Sequence, residues 1–380
     1  MSHDIDATAD VIVIGGGIAG VSVAYELSDD RHVVLLEREP ALAFHTTGRS
    51  AALFLESYGN RVIRGLTTAS RDFLTDPPDC FDRPLLTGRP LLQFARVGRG
   101  DALRSMFTEV RTLTPDVELL TPTEAAALFG ALRPQTIDAA LHEPGSMEID
   151  VHALHQGYLR GLRARGGAVA VSAGVASLRF ADGLWEVVTT DGRVTRARIV
   201  VDAAGAWADE LGQSVGAAPI GLTPRRRTVF MLAMPDGLAR DGLPTISDID
   251  ESFYLKPDGA QLLCSPADET PTSPSDARPD ELEIARALDE IAEVTTVGSR
   301  HVRSSWAGLR SFVPDRTPVV GPDPDLPGFT WCAGQGGYGI QTCAALARVT
   351  AALIRGDEIP ADVGSRGVSA ADLLPSRTRG

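Results

Sequence analysis

The sequence predicts an α/β protein in which a domain with a parallel sheet is interrupted by an α+β domain with a mixed or antiparallel sheet. Residues 9–37 have the pattern of a strand, a glycine-rich turn, a helix and a second strand. Residues 329–354 repeat the order of strand, glycine cluster and helix. Strand-rich segments with less regular patterning separate these two regions. Because 380 residues is long for one small domain, we expect two domains.

The first pattern contains the glycine spacing of a dinucleotide-binding turn. The apolar strand Val11–Ile14 precedes Gly15, Gly17 and Gly20, and a second strand ends at Glu37. In such a unit the three glycines allow a tight turn, a close approach to pyrophosphate, and close helix–strand packing. The helix N-terminus attracts phosphates and the acid accepts ribose hydroxyls. We therefore predict a dinucleotide site; a glycine-rich turn in another kind of α/β sheet is the alternative.

A second glycine cluster indicates that the dinucleotide is FAD. Gly334–Gly339 directly follows the strand Phe329–Ala333 and opens a helix. The N-terminus of that helix would stabilise negative charge at a flavin ring, while the first turn holds the pyrophosphate. The carboxylate of Glu37 disfavours NADP, because it repels a 2′-phosphate. A purely structural turn at 334–339 is the alternative.

The order of the patterns predicts a discontinuous nucleotide-binding domain. The features of a Rossmann-like FAD-binding domain occur in three separate regions, and less regular, strand-rich regions lie between them. We assign 5–80, 146–220 and 305–360 to the FAD-binding domain, 81–145 and 221–304 to an inserted substrate domain, and 361–380 to a C-terminal tail.

Composition and charge argue against several classes of protein. A formal net charge of −14 argues against a nucleic-acid partner. The four cysteines have no CxxC spacing, and no third ligand joins His152 and His155, so we expect no metal or redox motif. No uncharged apolar run reaches ~18 residues, and the acidic N-terminus lacks the apolar core of a signal peptide. We expect a cytoplasmic protein without a transmembrane segment.

The chain resembles the D-amino-acid oxidase superfamily of FAD-dependent amine oxidoreductases over nearly its whole length. The similarity is carried by Val11–Gly20, Glu37, Thr47–Ala52, Val201–Trp207, Trp306–Arg310 and Gln335–Gln341. Within the superfamily the chain is most similar to bacterial D-arginine dehydrogenase-like proteins. The segments that indicate this are His155–Gly161, Asp250–Pro257 and Gln335–Gln341.

The resemblance implies a set of FAD-binding residues. They are Gly15, Gly17, Ile18, Ala19, Gly20, Glu37, Arg38, Thr47, Gly48, Arg49, Ser50, Ala51, Ala52, Val175, Gly205, Trp207, Gly308, Gly336, Gly337, Tyr338, Gly339, Ile340 and Gln341. Relatives that attach flavin covalently use a cysteine near the Arg310 segment or a histidine nearer Ser50. Residues 300–320 contain no cysteine, and no histidine stands at the second place. We therefore expect non-covalent FAD.

The resemblance further implies that four side chains hold the substrate. Arg310 matches an arginine that clamps the substrate carboxylate with two bonds, and Tyr254 matches a tyrosine that shares it. Arg227 and Tyr58 match other substrate-pocket positions. From the residues alone, Arg310 could be a surface ion pair, Arg227 part of a solvated arginine triplet, and Tyr254 an ordinary strand aromatic.

The implied reaction is the oxidation of an amine by the flavin. Hydride passes from Cα of the neutral amine to flavin N5, and the imino acid then hydrolyses to a 2-oxo acid and ammonia. No general base is needed if the amine enters unprotonated, and we assign none. His45, His152 and His155 are interpreted as structural.

The side-chain end of the implied pocket departs from the D-arginine dehydrogenases. Leu91 stands where they carry an acid, and Leu53 where they carry a histidine. Burying a guanidinium without an acidic partner costs ~3–5 kcal/mol. We therefore expect D-Arg and D-Lys to be poor substrates and a neutral or apolar D-amino acid to be preferred. The remaining pocket positions are Thr245, Ser247, Gly337 and Gln341.

Three other functions remain open from the sequence. One is an oxygen-using oxidase of a secondary amine of glycine, sarcosine or proline type, or of a biosynthetic intermediate. The second is an NADPH-dependent flavin monooxygenase or reductase, although no second GxGxxG supplies a nicotinamide site. The third is a non-enzymatic FAD-binding protein, against which Arg310 and Tyr254 argue. The electron acceptor is open between quinone, carrier and oxygen; Gln261–Ser265 lacks the lysine that sarcosine oxidases place near flavin, which favours a dehydrogenase.

Overall fold

The structure is a computed structural model that describes residues 7–112, 114–238, 242–298 and 300–379. Residues 1–6, on which the prediction of no signal peptide partly rests, lie outside this range. A few positions within the predicted domain and tail segments also lie outside this range. They are 113, 239–241, 299 and 380.

Strands and helices alternate through most of the described chain. The strands are β1 (Thr8–Ile14), β2 (Val33–Leu36), β3 (Leu53–Phe54), β4 (Leu86–Gly88), β5 (Leu91–Arg96), β6 (Glu118–Leu120), β7 (Ile137–Glu143), β8 (Met147–Ile149), β9 (Ala168–Ala170), β10 (Val175–Ala181), β11 (Leu184–Thr189), β12 (Val194–Asp202), β13 (Thr223–Ala233), β14 (Thr245–Asp248), β15 (Tyr254–Asp258), β16 (Gln261–Ser265), β17 (Ser304–Phe312), β18 (Val319–Pro322) and β19 (Phe329–Ala333). The helices are α1 (Ile18–Leu27), α2 (Arg61–Thr75), α3 (Gly100–Val110), α4 (Pro122–Leu128), α5 (Val151–Ala164), α6 (Ala208–Ser214), α7 (Glu281–Val294), α8 (Gly339–Arg355) and α9 (Ala361–Gly364).

The first sheet is built around β1 and has the order β10-β11-β12-β1-β2-β9, with β19 also pairing to β12 and β18 to β19. Strands β12, β1, β2 and β9 run parallel. Val11 and Val13 face one apolar core with α1, α5 and α8, while Ile12 and Ile14 face a second core on the other side. Burial on both faces explains the unbroken apolar run of β1, and the sheet confirms the predicted Rossmann-like domain.

The second sheet has the order β17-β13-β16-β15-β14-β5-β7-β6. Its neighbours are antiparallel except for the parallel pair β14 and β5. One face packs against α7 and α4, where Phe230, Phe253 and Ile291 form a core. This is the mixed sheet that the sequence predicts for the second domain.

Two strands, β17 and β4, do not lie in the sheet of the domain to which the sequence analysis assigns their segment. Strand β17 falls in the predicted FAD-binding segment 305–360, but it pairs with β13 along nine positions of the second sheet. Strand β4 falls in the predicted substrate segment 81–145, but it joins β8 and β3 in a small three-stranded sheet. The bounds of the predicted segments therefore do not coincide with the bounds of the sheets at β17 and β4.

The C-terminal tail packs against the first domain. Val363, Val368 and Leu373 are buried in the same core as α1 and α8. The Arg379 guanidinium pairs with the carboxylates of Asp323 and Asp325. These contacts cover the end of the first sheet at β18.

None of the helices in the described residues is both long and apolar enough to cross a membrane. The same residues contain no group of three or more side chains positioned to hold a metal ion. The four cysteines, Cys80, Cys264, Cys332 and Cys343, are free thiols.

Candidate active site

A cavity of about 980 Å³ extends from the glycine turn after β1 to one face of the second sheet. Its volume is typical of a large small-molecule site. The four side chains predicted to hold the substrate, Tyr58, Arg227, Tyr254 and Arg310, all line this cavity. The fold thus brings together residues that are far apart in the sequence.

Close contacts explain the fingerprint glycines at the first end of the cavity. Gly15 has a φ of +115°, and a Cβ there would overlap the carbonyl of Ala203. A Cβ on Gly20 would overlap the carbonyl of Gly15, so α1 can approach β1 only with glycine at this position. A Cβ on Gly17 would meet only Thr47 Oγ1, at 3.1 Å. The N-terminus of α1 is therefore left open to the cavity.

Glu37 is held at the end of β2 by two backbone groups. Its carboxylate accepts hydrogen bonds from the N–H of Gly16 at 2.7 Å and of Glu39 at 2.8 Å. The carbonyl of Gly16 accepts a hydrogen bond from Nε2 of His155 at 2.9 Å. Burial lowers the pKa of His155, so the ring is neutral and supports the turn, in agreement with a structural histidine.

The loop after β2 closes over the start of α1. Thr47 Oγ1 accepts a hydrogen bond from the N–H of Ile18 at 3.0 Å, and the Arg38 guanidinium lies 4.5 Å from the ring centre of Trp207. Twenty predicted FAD-binding residues line the cavity: Gly15, Gly17, Ile18, Ala19, Glu37, Arg38, Thr47, Arg49, Ser50, Ala51, Ala52, Val175, Gly205, Trp207, Gly308, Gly336, Gly337, Gly339, Ile340 and Gln341.

Three predicted FAD-binding residues lie behind the cavity wall. Gly20 packs α1 on β1, and a Cβ on Gly48 would overlap the carbonyl of Ala43. The Tyr338 ring packs 5.0 Å from the ring of Tyr58 and is buried. These residues shape the site through their neighbours and are not part of its lining.

The start of α8 passes directly beside Arg310. Gly336 has a φ of +55°, and a Cβ there would overlap the Phe312 ring. A Cβ on Gly337 would lie 2.8 Å from Nη1 of Arg310. Glycine at both positions therefore lets the helix N-terminus open into the same cavity as α1. Two such helix starts that open into one cavity fit FAD, whose pyrophosphate would lie at α1 and whose flavin would lie at α8.

The register of the strands explains why three of the residues predicted to hold the substrate lie on one face of the second sheet. These residues are Arg227, Tyr254 and Arg310. Arg310 on β17 lies opposite Arg225 on β13, and Gly308 lies opposite Arg227. Opposite residues, and residues two apart on a strand, point to the same face of a sheet. The pairing of β13 with β16 and of β16 with β15 places Tyr254 on this face as well.

Arg310 is a charged side chain that has no acidic partner. Burial lowers its pKa, but Tyr58, Tyr254 and Glu251 outweigh that effect and hold the pKa above its ordinary value. Burial raises the pKa of Tyr58, against the opposing effect of Arg310, so Tyr58 is a neutral phenol. Among the described residues, no carboxylate forms a salt bridge with Arg310. The guanidinium is therefore available to an anion in the cavity.

Arg227 is partly engaged by the protein. Its side chain is 5% exposed, and Nη2 lies 3.1 Å from Oε1 of Glu269. The same carboxylate accepts bonds of 2.7 and 2.9 Å from Arg316. Burial and the like charge of Arg310 lower the pKa of Arg227. Its Nε has no hydrogen-bond partner among the described residues.

The Gln341 side chain holds the loop that carries Tyr58. Its Oε1 accepts from the N–H of Leu55 at 3.2 Å, and its Nε2 donates to Thr67 Oγ1 at 2.9 Å. Gln341 lines the cavity as predicted, but its amide is committed to the protein. The loop is held from its other side by Glu143, whose carboxylate accepts a hydrogen bond from the Ser57 hydroxyl.

The side-chain end of the pocket is lined by Leu53, Leu91, Thr245 and Ser247, as the resemblance implies. Sequence reasoning missed Gln93, Met106 and Glu251, which also line the cavity. Gln93 is two residues after Leu91 on β5, so the period of a strand was enough to find it. Glu251 carries a positive φ of 52°, a backbone signal that only the structure provides.

His45 also lines the cavity, and the sequence analysis interprets it as a structural residue. Its Nε2 lies 3.0 Å from Oε1 of Glu39, and its ring centre lies 4.9 Å from that of Trp207. These contacts give it a structural role at the FAD end of the cavity.

The Rossmann-like sheet and the cavity with two glycine-rich helix starts are those of a flavoprotein. The model of the FAD dependent oxidoreductases, the DAO family, matches residues 10–353. The chain belongs to this family and is an FAD-dependent oxidoreductase.

The chain is similar to several characterised members. It is 25% identical to glycine oxidase of Geobacillus kaustophilus over 96% of this chain and 95% of that protein. The solved structure of that enzyme has a TM-score of 0.82, at 21% identity over 93% of this chain and 96% of its own. L-proline dehydrogenase from P. horikoshii has a TM-score of 0.80, at 18% identity over 94% of this chain and 96% of its own.

The mitochondrial dimethylglycine dehydrogenase of Mus musculus is 26% identical over 93% of this chain. The chain spans only 43% of that protein's length. The narrower resemblance to D-arginine dehydrogenases stays a prediction.

The buried carboxyl of Glu143 predicts a pH-dependent stability. Burial raises its pKa, the Ser57 hydrogen bond opposes this, and the nearby Glu56 raises it further. Because the folded pKa lies above the unfolded one, the stabilising effect is complete below the unfolded pKa and is lost as pH rises through the folded pKa. Glu143→Gln, which cannot ionise, should gain stability relative to wild type by about 1.4 kcal/mol for each unit of the raised pKa.

The measurement is the free energy of unfolding of both proteins between pH 5 and pH 8. This range lies above the ordinary pKa of glutamate and is about three pH units wide. The exposed Glu358→Gln serves as the control, because Glu358 lies on the surface. Parallel curves for wild type and Glu143→Gln would contradict the prediction.

Proposed function

We propose that this enzyme oxidises an amino acid with a neutral or apolar side chain, and that Arg310 holds the substrate carboxylate. The observation that carries the proposal is the charged Arg310 guanidinium, which faces the cavity without an acidic partner among the described residues. A half-buried cation of this kind is stabilised by an anion that enters the cavity. The D configuration is taken from the resemblance to D-amino-acid enzymes.

The residues of the site have separable tasks. FAD, when bound, accepts the hydride from the substrate carbon. Arg310 offers two parallel N–H donors to a carboxylate, which fixes the position of the neighbouring Cα. The neutral Tyr58 and the phenol of Tyr254 lie next to the guanidinium and add uncharged donors. The helix start at Gly337 presents backbone N–H groups that stabilise negative charge nearby.

The acids that line the cavity explain why a cationic side chain is disfavoured. Glu37 and Glu210 lie at the FAD end with Trp207 and Gly205. Asp248 is already paired with Arg96, at 2.7 Å. Glu251 interacts electrostatically with the clamp, and it raises the pKa of Arg310. Leu53 and Leu91 occupy the positions where the D-arginine dehydrogenases carry their polar groups.

The first test is the anaerobic reduction of the purified holoenzyme by single amino acids. We expect D-Leu, D-Met or D-Phe to bleach the oxidised flavin, and D-Arg to do so with a kcat/KM lower by roughly 10²–10⁴-fold, since its guanidinium would be buried unpaired. The L-forms are the control for configuration. A D-Arg efficiency equal to that of D-Leu would contradict the assignment of a neutral pocket.

The second test removes the clamp, Arg310, which is proposed to hold the substrate carboxylate. Arg310→Ala should lower kcat/KM for the best substrate by roughly 10²–10⁴-fold, because a buried charge pair loses one partner. Arg225→Ala is the matched control: Arg225 lies opposite Arg310 on the same face, but it donates to the Glu269 carbonyl at 3.1 Å and does not line the cavity. Equal rates for Arg310→Ala and wild type would remove the central site assignment.

We also propose that FAD is bound without a covalent link. Supporting this, none of the four cysteines lines the cavity. Nε2 of His45, the histidine that does, lies 3.0 Å from Glu39. Acid precipitation should therefore release the yellow colour into the supernatant; colour that stays in the pellet would show a covalent link.

A second candidate function is the oxidation of a secondary amine with oxygen. The similarity to L-proline dehydrogenase supports a secondary amine as the substrate, and the similarity to glycine oxidase supports oxygen as the acceptor. Against oxygen as the acceptor, Lys256 pairs with Glu148 and does not line the cavity. In the same anaerobic experiment, reduction by sarcosine or proline in place of primary amino acids, followed by peroxide formation in air, would select this candidate.

A further inference from the structure

The pocket wall next to Leu91 contains a row of uncharged polar side chains. Thr245 on β14 is paired with Leu91 on β5, and Ser247 is paired with Gln93, in parallel register. All four residues line the cavity. Ser247 is also paired with Tyr254 on the other neighbouring strand. The row therefore begins one strand away from Tyr254, whose phenol interacts with Arg310 from across the cavity face, and continues away from it with ~5 Å between strands.

None of these polar groups is used by the protein. The side chain of Thr245 is 2% exposed, and its hydroxyl has no hydrogen-bond partner among the described residues. The hydroxyl of Ser247 and the amide of Gln93 likewise make no hydrogen bond within the described part of the chain. Buried polar groups in native proteins are normally paired, and an unpaired one indicates a missing partner. Because all three residues line the cavity, the partner is expected to come from the ligand.

We propose that Thr245, Ser247 and Gln93 bind an uncharged hydrogen-bonding group, a carboxamide or a hydroxyl, at the end of the substrate side chain. The inference rests on the proposed function, since it places the substrate carboxylate on Arg310. A charged group is disfavoured because the row contains no charge, and Asp248, the lining acid on the same strand as Thr245 and Ser247, is bound by Arg96 and Ser252. A hydroxyl and an amide can each donate and accept, which suits a carboxamide.

The test measures binding, so that it does not depend on turnover. Succinamate and 4-methylpentanoate are the carboxylates that remain when the amino group is removed from asparagine and from leucine. They have nearly the same shape and differ in hydrogen bonding. Titration of the holoenzyme, followed by the change in flavin absorbance, should give a Kd for succinamate lower by about tenfold. Equal values, or tighter binding of 4-methylpentanoate, would overturn the proposal.

Two variants of Thr245 separate hydrogen bonding from packing. Thr245→Val keeps the shape and removes the hydroxyl, so the preference for succinamate should fall by at least several-fold. Thr245→Ser keeps the hydroxyl and removes the methyl group, so the preference should survive. The opposite pattern, loss in Thr245→Ser and retention in Thr245→Val, would show that Thr245 only packs and would overturn the assignment.

The same experiment distinguishes this inference from the proposed function. Reduction by D-Leu together with equal binding of the two carboxylates would keep the amino-acid oxidase and refute the polar subsite. Preferential binding of succinamate that is lost in Thr245→Val would support the subsite even if no amino acid reduced the flavin. Failure of both carboxylates to bind at any concentration would refute the clamp and the subsite together.

Discussion

The structure of the site depends on one half-buried cation, Arg310, which forms no salt bridge with the described residues. Strand β17 holds it opposite Arg225 and near Arg227, so its nearest charged neighbours on the sheet are of the same sign. Glu269 is bound by Arg227 and Arg316. Glu251 acts on Arg310 electrostatically without forming a salt bridge among the described residues. A cation held in this way lowers stability unless an anion joins it. In the proposed function the substrate carboxylate is this anion, so that binding and the electrostatic stability of the site would be linked.

The rest of the site is arranged to keep this cation accessible. Glycine at 336 and 337 lets the start of α8 pass beside the guanidinium. Gln341 and the Ser57–Glu143 pair hold the loop of Tyr58 from two sides. Because each support is already formed within the chain, the site needs little rearrangement when a ligand enters, and pre-organisation of this kind reduces the entropic cost of binding.

The parts of the fold and site that the sequence predicts are those with local signals. The glycine spacing after β1 and the apolar run of Val11–Ile14 depend only on neighbouring residues, and both patterns appear as predicted. The position of β17 in the second sheet, the burial of Tyr338 behind Tyr58 and the use of the Gln341 amide by Leu55 and Thr67 all depend on contacts between distant segments. No periodicity or spacing carries that information.

Selection among substrates must come from the strands that the clamp does not use. Any amino acid offers Arg310 the same carboxylate, so the clamp cannot tell one side chain from another. The neighbouring strands β14 and β5 can distinguish one side chain from another. Their register sets which residues follow Tyr254 across the cavity face of the second sheet. A hydrogen-bonding pocket discriminates strongly against a ligand that leaves its polar groups unpaired, whereas an apolar pocket discriminates weakly against one missing methylene. We therefore propose that this face, with the unpaired hydroxyl of Thr245, is the main determinant of specificity.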